Sequence, residues 1–211
     1  GDTNTAIRFP GADTISAETG GTESFRVDSS QRLLMGATTA RAVGDLTAQS
    51  QIEGNGYAAS SLSLISNAGA SAGNTPHITL GKSRGSSAGS NTVVVSGDTL
   101  AQIQFAGADG TDCNSVAANI AAKVDGTPGS NDMPGALTFG TTADGAATVT
   151  ERLKIDKEGG FIFSNGALLE KVNITAGKLS ANTDIDLDDG MVHYFTTAET
   201  TTCTPNIRVN S

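Results

Sequence analysis

Leu137-Thr138-Phe139, Ala143-Asp144-Gly145 and Thr150-Glu151-Arg152-Leu153-Lys154-Ile155-Asp156 read in succession as a strand, a turn region and a second strand ending on an aspartate. The same grammar stands near the N-terminus as Ile7-Arg8-Phe9, Ala12-Asp13 and Thr22-Glu23-Ser24-Phe25-Arg26-Val27-Asp28. Its first half returns as Ile103-Gln104-Phe105-Ala106-Gly107-Ala108-Asp109, which shares Ile-x-Phe-x-Gly-Ala-Asp with residues 7–13. A unit reused along a chain marks a modular, stacked architecture rather than one catalytic globule. In this reading Phe9, Phe105 and Phe139 occupy one slot of the unit, and Leu153 and Ile155 belong to its second strand.

The composition says what such units lack. The 211 residues hold 26 Gly, no Trp, two Tyr and seven Phe. Large apolar side chains supply roughly 1.5–3 kcal/mol each on burial, so a chain this poor in them struggles to offset its ordering entropy alone. It is either disordered or completes its apolar stripes with other copies of itself, and the β-patterned segments favour the second. Phe9, Phe105, Phe139, Leu153 and Ile155 are the candidates for a core shared around one axis. The net charge of -9 disfavours nucleic acid and anionic membranes, which both call for a basic surface. No apolar run approaches a membrane span. The abrupt start before one strand-like run and the end within another suggest a piece of something longer. Cys113 and Cys203 have no neighbouring Cys or His at ligand spacing. Two independent thiols are expected, with one long-range disulfide as the alternative.

Turn signals divide the rest. Residues 1–36 form a first, partial repeat unit, 37–50 a connecting loop, 51–166 a β-meander region and 167–211 a distinct C-terminal β segment. Within the meander Ser61–Ile65 alternates and His77–Leu80 answers it. Thr92–Val95 and Ala101–Phe105 flank a Ser96-Gly97-Asp98 turn as a hairpin. Cys113–Val124 fits a helix or a strand by periodicity and is taken as a strand. Lys82–Asn91 and Asp125–Met133 are polar loops, and further short strands are expected around Leu168–Val172, Ile174, Ile185–Leu187, Met191–Phe195 and Ile207–Val209.

Thr150–Asp156 resembles the T-E-R-L-R-I-D-S-S-G unit that recurs in tail fibres of marine bacteriophages, many of them cyanophages. Asp125–Gly135 with Leu137–Phe139 and Thr141–Gly145, and Gly81–Gly85, are similar to other runs of these proteins. Lys171–Leu179, His193–Thr197 and Thr204–Arg208 resemble structural-protein segments of the same phages. The likeness covers most of the chain. It departs at Gln31-Arg32 and Lys157-Glu158-Gly159, where the family prefers a Ser-Gly turn. The resemblance implies a trimeric appendage on the exterior of a virion, with other virion proteins and a host-surface receptor, a glycan among the candidates, as partners.

Sharper chemical readings fare worse. Asp184, Asp186 and Asp188 have the D-x-D-x-D spacing of a cation loop. The sixth and twelfth positions of an EF-hand are however Asp189 and Phe195 rather than Gly and Glu. Aspartates facing water beside inward Ile185 and Leu187 are the simpler account. Gly81-Lys82-Ser83 fails as a P-loop, because Pro76 stands where the first glycine belongs. Gly54-Asn55-Gly56 is a turn rather than a dinucleotide fingerprint. His77 and His193 lack a G-x-S-x-G partner and read as strand residues. Paired carboxylates keep a polysaccharide depolymerase in view, but sugar-stacking aromatics are scarce. The expectation is an all-β, elongated, homotrimeric fibre of stacked strands and hairpin meanders, intertwined around a shared axis. It is non-enzymatic, needs no cofactor, and inserts in no membrane. A capsid-attached fibre, baseplate spike or decoration protein is the alternative.

Overall fold

The computed structural model describes residues 2–67, 69, 73–169 and 172–208. The chain divides into two compact units, Gly1–Asn165 and Gly166–Ser211. Among the described residues, apart from three short 3-10 turns, every regular element is a strand.

The first unit holds two five-stranded sheets. Strands β1 (Ala6–Arg8), β2 (Ile15–Thr19), β3 (Thr22–Val27) and β4 (Leu33–Met35) form an antiparallel meander, and β5 (Ser50–Ile52) joins β4 in parallel. Strands β6 (Thr99–Gly107), β7 (Ser115–Val124), β8 (Gly135–Thr141), β9 (Thr150–Ile155) and β10 (Phe161–Ile162) form the second sheet, wholly antiparallel. The ambiguous run before Val124 is therefore a strand. Its alanines and Ile120 let β7 sit between two neighbours without crowding.

The repeat is real, and its register is not the one the Ile-x-Phe motif suggests. Ile15 pairs with Val27 and Ala17 with Phe25, and a bulge then brings Glu18 opposite Glu23. In the second sheet Leu137 pairs with Ile155 and Phe139 with Leu153, and the same bulge brings Gly140 opposite Glu151. The equivalent of Leu137-Thr138-Phe139 is thus Ile15-Ser16-Ala17. Phe9 lies beyond the end of β1, outside any ladder and 76% exposed. Phe105 pairs with Ala118, one row away from Phe139. The expected common slot for the three phenylalanines is corrected. β2 escapes the sequence pattern because it carries a single large apolar residue, and its pairing is imposed by the Gly20-Gly21 turn. Both glycines there take positive φ, 61° and 75°, as a two-residue hairpin loop requires.

The turn after each repeat is also duplicated. Asp28 Oδ1 accepts from the Ser30 and Arg32 amides at 2.9 Å each, and Asp156 Oδ1 accepts from Glu158 at 3.0 Å and Gly160 at 2.7 Å. The backbone bonds Gln31 N to Asp28 O and Gly159 N to Asp156 O close both loops. Gln31 (φ 63°) and Gly159 (φ 84°) fill the same left-handed position. Here the departure from a Ser-Gly turn is absorbed by backbone strain at Gln31.

Three other expectations are corrected. Ser61–Ile65, His77–Leu80 and Thr92–Val95 form no strand ladder. The turn at Gly97 exists, with Asp98 N donating to Val95 O. The chain then turns to β7 through Gly97 N to Val124 O and Val124 N to Asp98 O, so no hairpin with β6 results. Leu168 and Leu169 are also outside any strand.

The second unit pairs β11 (Val172–Thr175) with β13 (Val192–Phe195), and β12 (Asp184–Asp186) with β14 (Asn206–Arg208), both in parallel. The expected strand at Val209 and the residues Glu170 and Lys171 lie outside the described residues.

Candidate assembly surface

Residues opposite one another in a ladder share a face, and neighbours along a strand alternate. On the second sheet this places Ile103, Ile120, Phe139 and Leu153 in one row across four strands. Beside it lies the row Ala101, Ala122, Leu137, Ile155 and Phe161. These two rows are apolar throughout, with Ile78 and Leu80 beside them. Ile103 and Phe105 are 52% and 53% exposed, and Leu137 and Phe161 are exposed too. Phe139, Leu153 and Ile155 are half-buried by their neighbours in the sheet. The front of the first sheet repeats the pattern, with Ile7, Ile15, Phe25 and Leu33 all exposed.

The back faces differ. They carry Gln102, Gln104, Asn119, Lys123 and Lys154, yet they are the covered side. Ser16, Leu34, Ala121, Ala136 and Thr138 are buried there. The loop over residues 37–49 packs on both backs. Thr38 O accepts from Arg26 Nη1 at 3.0 Å, and Gln51 Nε2 donates to Arg41 O at 2.9 Å. Gly44 N donates to Cys113 O at 2.9 Å, and Gln104 Nε2 donates to Asp45 Oδ2. Gly44 takes a positive φ of 61°, the backbone conformation that favours glycine at this point of the loop. Lys154 Nζ to Asp125 Oδ1, 2.7 Å, and Lys123 Nζ to Glu151 Oε2, 2.8 Å, tie the loop before β8 and the strands together. The chain thus spends its polar groups and loops on one side and leaves the apolar side uncovered.

The acidic candidates are engaged in structure. Asp184 Oδ1 accepts from Asn206 Nδ2 at 3.1 Å and Oδ2 pairs with Arg208 at 3.2 Å, across the β12–β14 ladder. Asp186 accepts from the Asp188 amide at 3.1 Å, and Asp188 itself is exposed. Among the described residues no three His, Cys, Asp or Glu side chains gather as a metal site. Loops 107–114 and 142–149 place Asp109, Asp112 and Asp144 around a depression of about 630 Å³. Asp109 is held below the usual carboxylate range there by the amides of Thr111 and Asp112 and by the Ser115 hydroxyl. Asp98 is held well below it by Arg84 and the Val95 amide. Among the described residues each carboxylate whose pKa is clearly displaced moves downward. Cys113 and Cys203 are free thiols. His77 is exposed outside any strand, and His193 lies in β13. Among the described residues no helix is long and apolar enough to cross a membrane.

The fold is similar to that of a phage tail-fibre domain. The carboxy-terminal domain of the bacteriophage T5 L-shaped tail fibre matches with a TM-score of 0.52 and 16% identity, over 78% of this chain and 79% of that one. The same T5 domain with its intramolecular chaperone domain matches with a TM-score of 0.58 and 17% identity, over 80% of this chain and 52% of the longer one. This chain therefore spans about half the length of the second relative. No protein-family model and no curated protein matches it in sequence.

Of the candidates for a shared core, Phe105, Phe139, Leu153 and Ile155 lie on the front of the second sheet, and Phe9 lies outside any ladder. Sequence reasoning misses Ile103, Ile120 and Leu137. For Ile103 the signal is the alternation of β6 with Gln102 and Gln104, which points the isoleucine and phenylalanine to one side.

Proposed function

We propose that the chain is a structural part of a bacteriophage tail fibre, a non-enzymatic homotrimeric rod on the exterior of the virion that serves attachment to the host. The observation that carries this reading is the apolar front of the second sheet, centred on the Ile103–Ile120–Phe139–Leu153 row, open in a chain whose polar backs are already covered. Three copies packed front to front around one axis supply the core that a single chain lacks, with Phe105, Phe139, Leu153 and Ile155 facing that axis. The likeness to the T5 fibre domain and the T-E-R-L-K-I-D unit of the kind found in marine phages both support this assignment.

Loops away from the fronts then form the exterior. Residues 82–94 and 128–133 meet at a depression of about 510 Å³, where Lys82, Ser83, Asn91 and Thr92 stand beside Val93, Val94, Pro128 and Met133. Receptor contact falls to such loops, which vary at little cost to the sheets. The test is immunogold labelling of virions with antibodies raised against the purified chain. Label on tail appendages is expected. Label confined to the capsid, or none on the particle, overturns the assignment.

A further inference from the structure

The sequence holds two Asn-Gly pairs, Asn55-Gly56 and Asn165-Gly166. Each sets an electrophile beside a nucleophile. The amide carbon Cγ of the asparagine is open to attack by the backbone nitrogen of the next residue, and glycine presents no Cβ to block the approach. In a folded chain two conditions decide the rate: the side chain must be free to swing over that nitrogen, and water must reach it.

The structure treats the two pairs differently. Asn165 is exposed but tied to β9. Its Nδ2 donates to Glu151 O at 3.3 Å, and its backbone oxygen accepts from Arg152 Nη1 at 2.8 Å. Asn55 is also exposed, and its side chain has no hydrogen-bond partner among the described residues. The Gly56 nitrogen is held by one contact, to Gly54 O at 3.1 Å, in a three-residue turn. Gly56 stands at φ 114° and ψ 167°, a conformation that glycine alone takes readily. The turn thus demands the residue that makes Asn55 reactive.

We infer that Asn55 is a site of spontaneous modification, converting to aspartate and isoaspartate through a cyclic imide, and that Asn165 is held back from the same reaction by its anchors on β9. The Gly56 nitrogen loses its proton to solvent and bonds to Asn55 Cγ. The Cγ–Nδ2 bond breaks, and Nδ2 takes up a proton and leaves as ammonia. Water then opens the ring. Opening at Cγ gives aspartate, and opening at the backbone carbonyl gives isoaspartate, whose main chain runs through the former side chain. The net change is one water consumed and one ammonia released, with no oxidant or reductant.

Both products place a carboxylate two residues from Glu53, which pairs with Arg41 at 2.9 Å. Isoaspartate also lengthens a turn that has no slack. A Cβ built on Gly54 would stand 2.4 Å from Ala59 Cβ and 2.7 Å from Ala59 O, so the chain folds back tightly on itself there. The added backbone carbon pushes apart Gly54 and the Tyr57–Ser60 turn, where the chain leaves the first sheet. The reaction runs whether or not the chain is part of a fibre.

The test is incubation of the folded full chain at neutral pH, with peptide mapping by mass spectrometry at intervals and a parallel incubation in denaturant. In denaturant the two pairs are expected to convert at similar rates, since only the Asn-Gly chemistry acts. In the folded chain Asn55 is expected to convert at least about tenfold faster than Asn165, whose two hydrogen bonds must break first. Arg152→Ala removes one anchor and is expected to speed Asn165 by about threefold or more, with Asn55 unchanged. A folded chain that leaves Asn55 intact, or converts both asparagines equally, overturns the inference. So does a difference in rate that is as large in denaturant, because the fold then plays no part. An Asn165 indifferent to Arg152→Ala overturns the anchoring.

Discussion

The two copies of the repeat, Ile15–Met35 and residues 137–163, share their register, their bulge and their aspartate-capped turn, yet they are finished differently. In the first copy a two-residue Gly-Gly turn joins the hairpin. In the second the connection runs from Thr142 to Val149 and folds back on its own sheet, with Thr142 Oγ1 donating to Val116 O at 2.6 Å. The bulge position records this. Glu18 in the first copy forms an ion pair with Arg8 at 2.6 Å, while a Cβ on its counterpart Gly140 would stand 2.4 Å from Val149 Cγ1 and 2.6 Å from Asn119 Oδ1. The ladder and the cap are the repeated invention. The loop and the neighbouring strands are adaptable, which suits a module that stacks along an axis and varies its outside.

The sharpest way to break the pairing of the two copies is at their open fronts. Ile103→Asp places an unpaired charge in a row that assembly would desolvate, and the chain is expected to lose its oligomer altogether, read as elution and sedimentation at monomer mass. Next come the backs, where equivalent positions differ in burial. Leu34 is 0% exposed and its counterpart Ile162 is 41% exposed. Leu34→Ala should cost about 2–5 kcal/mol and Ile162→Ala about 1 kcal/mol or less, measured by denaturant unfolding at one protein concentration.

The turn after each copy gives a reciprocal pair. Gly159→Ala should destabilise by about 1 kcal/mol, because a Cβ there is opposed by the positive φ and not by any neighbour. Gln31→Gly should change stability by about 0.5 kcal/mol in the opposite sense, strain relief being partly offset by the freer unfolded chain.

The smallest effect is one of pH. The amides of Arg32 and Ser30, with the Arg32 guanidinium, hold Asp28 below its ordinary value of 3.8. A depressed carboxylate contributes stability that is present above that ordinary value and is lost as pH falls through the depressed one. Asp28→Asn keeps an acceptor for both amides and removes the charge. Its thermal midpoint should therefore fall less steeply than the parent's on acidification below pH 3.8.

Much of this was legible in the residues. The T-E-x-x-x-x-D strands, the aspartate turns and the alternation of β6 and β7 each carry a local physical signal, and together they fix an all-β chain with unsatisfied apolar stripes. Phe105, Phe139, Leu153 and Ile155 share a face because ladder pairing and alternation put them there. Phe9 could not be placed, since a shared motif does not say which strand a residue pairs with. β2, Ile15–Thr19, has only Ile15 as a large apolar residue, and its place is dictated by the turn that follows it. The alternation of Ser61–Ile65 and His77–Leu80 reads as a meander, but pairing depends on partners that sequence spacing does not reveal. The covered polar back was equally hidden, because it is set by where the 37–49 loop returns.

The central claim is that other copies of the chain complete the open fronts, and its most direct test is the absolute mass of the full chain by light scattering. The account predicts a single species at three times 21.2 kDa that persists on dilution. A folded species that remains at 21.2 kDa across the same concentrations, with the Ile103→Asp variant indistinguishable from it, would contradict the account.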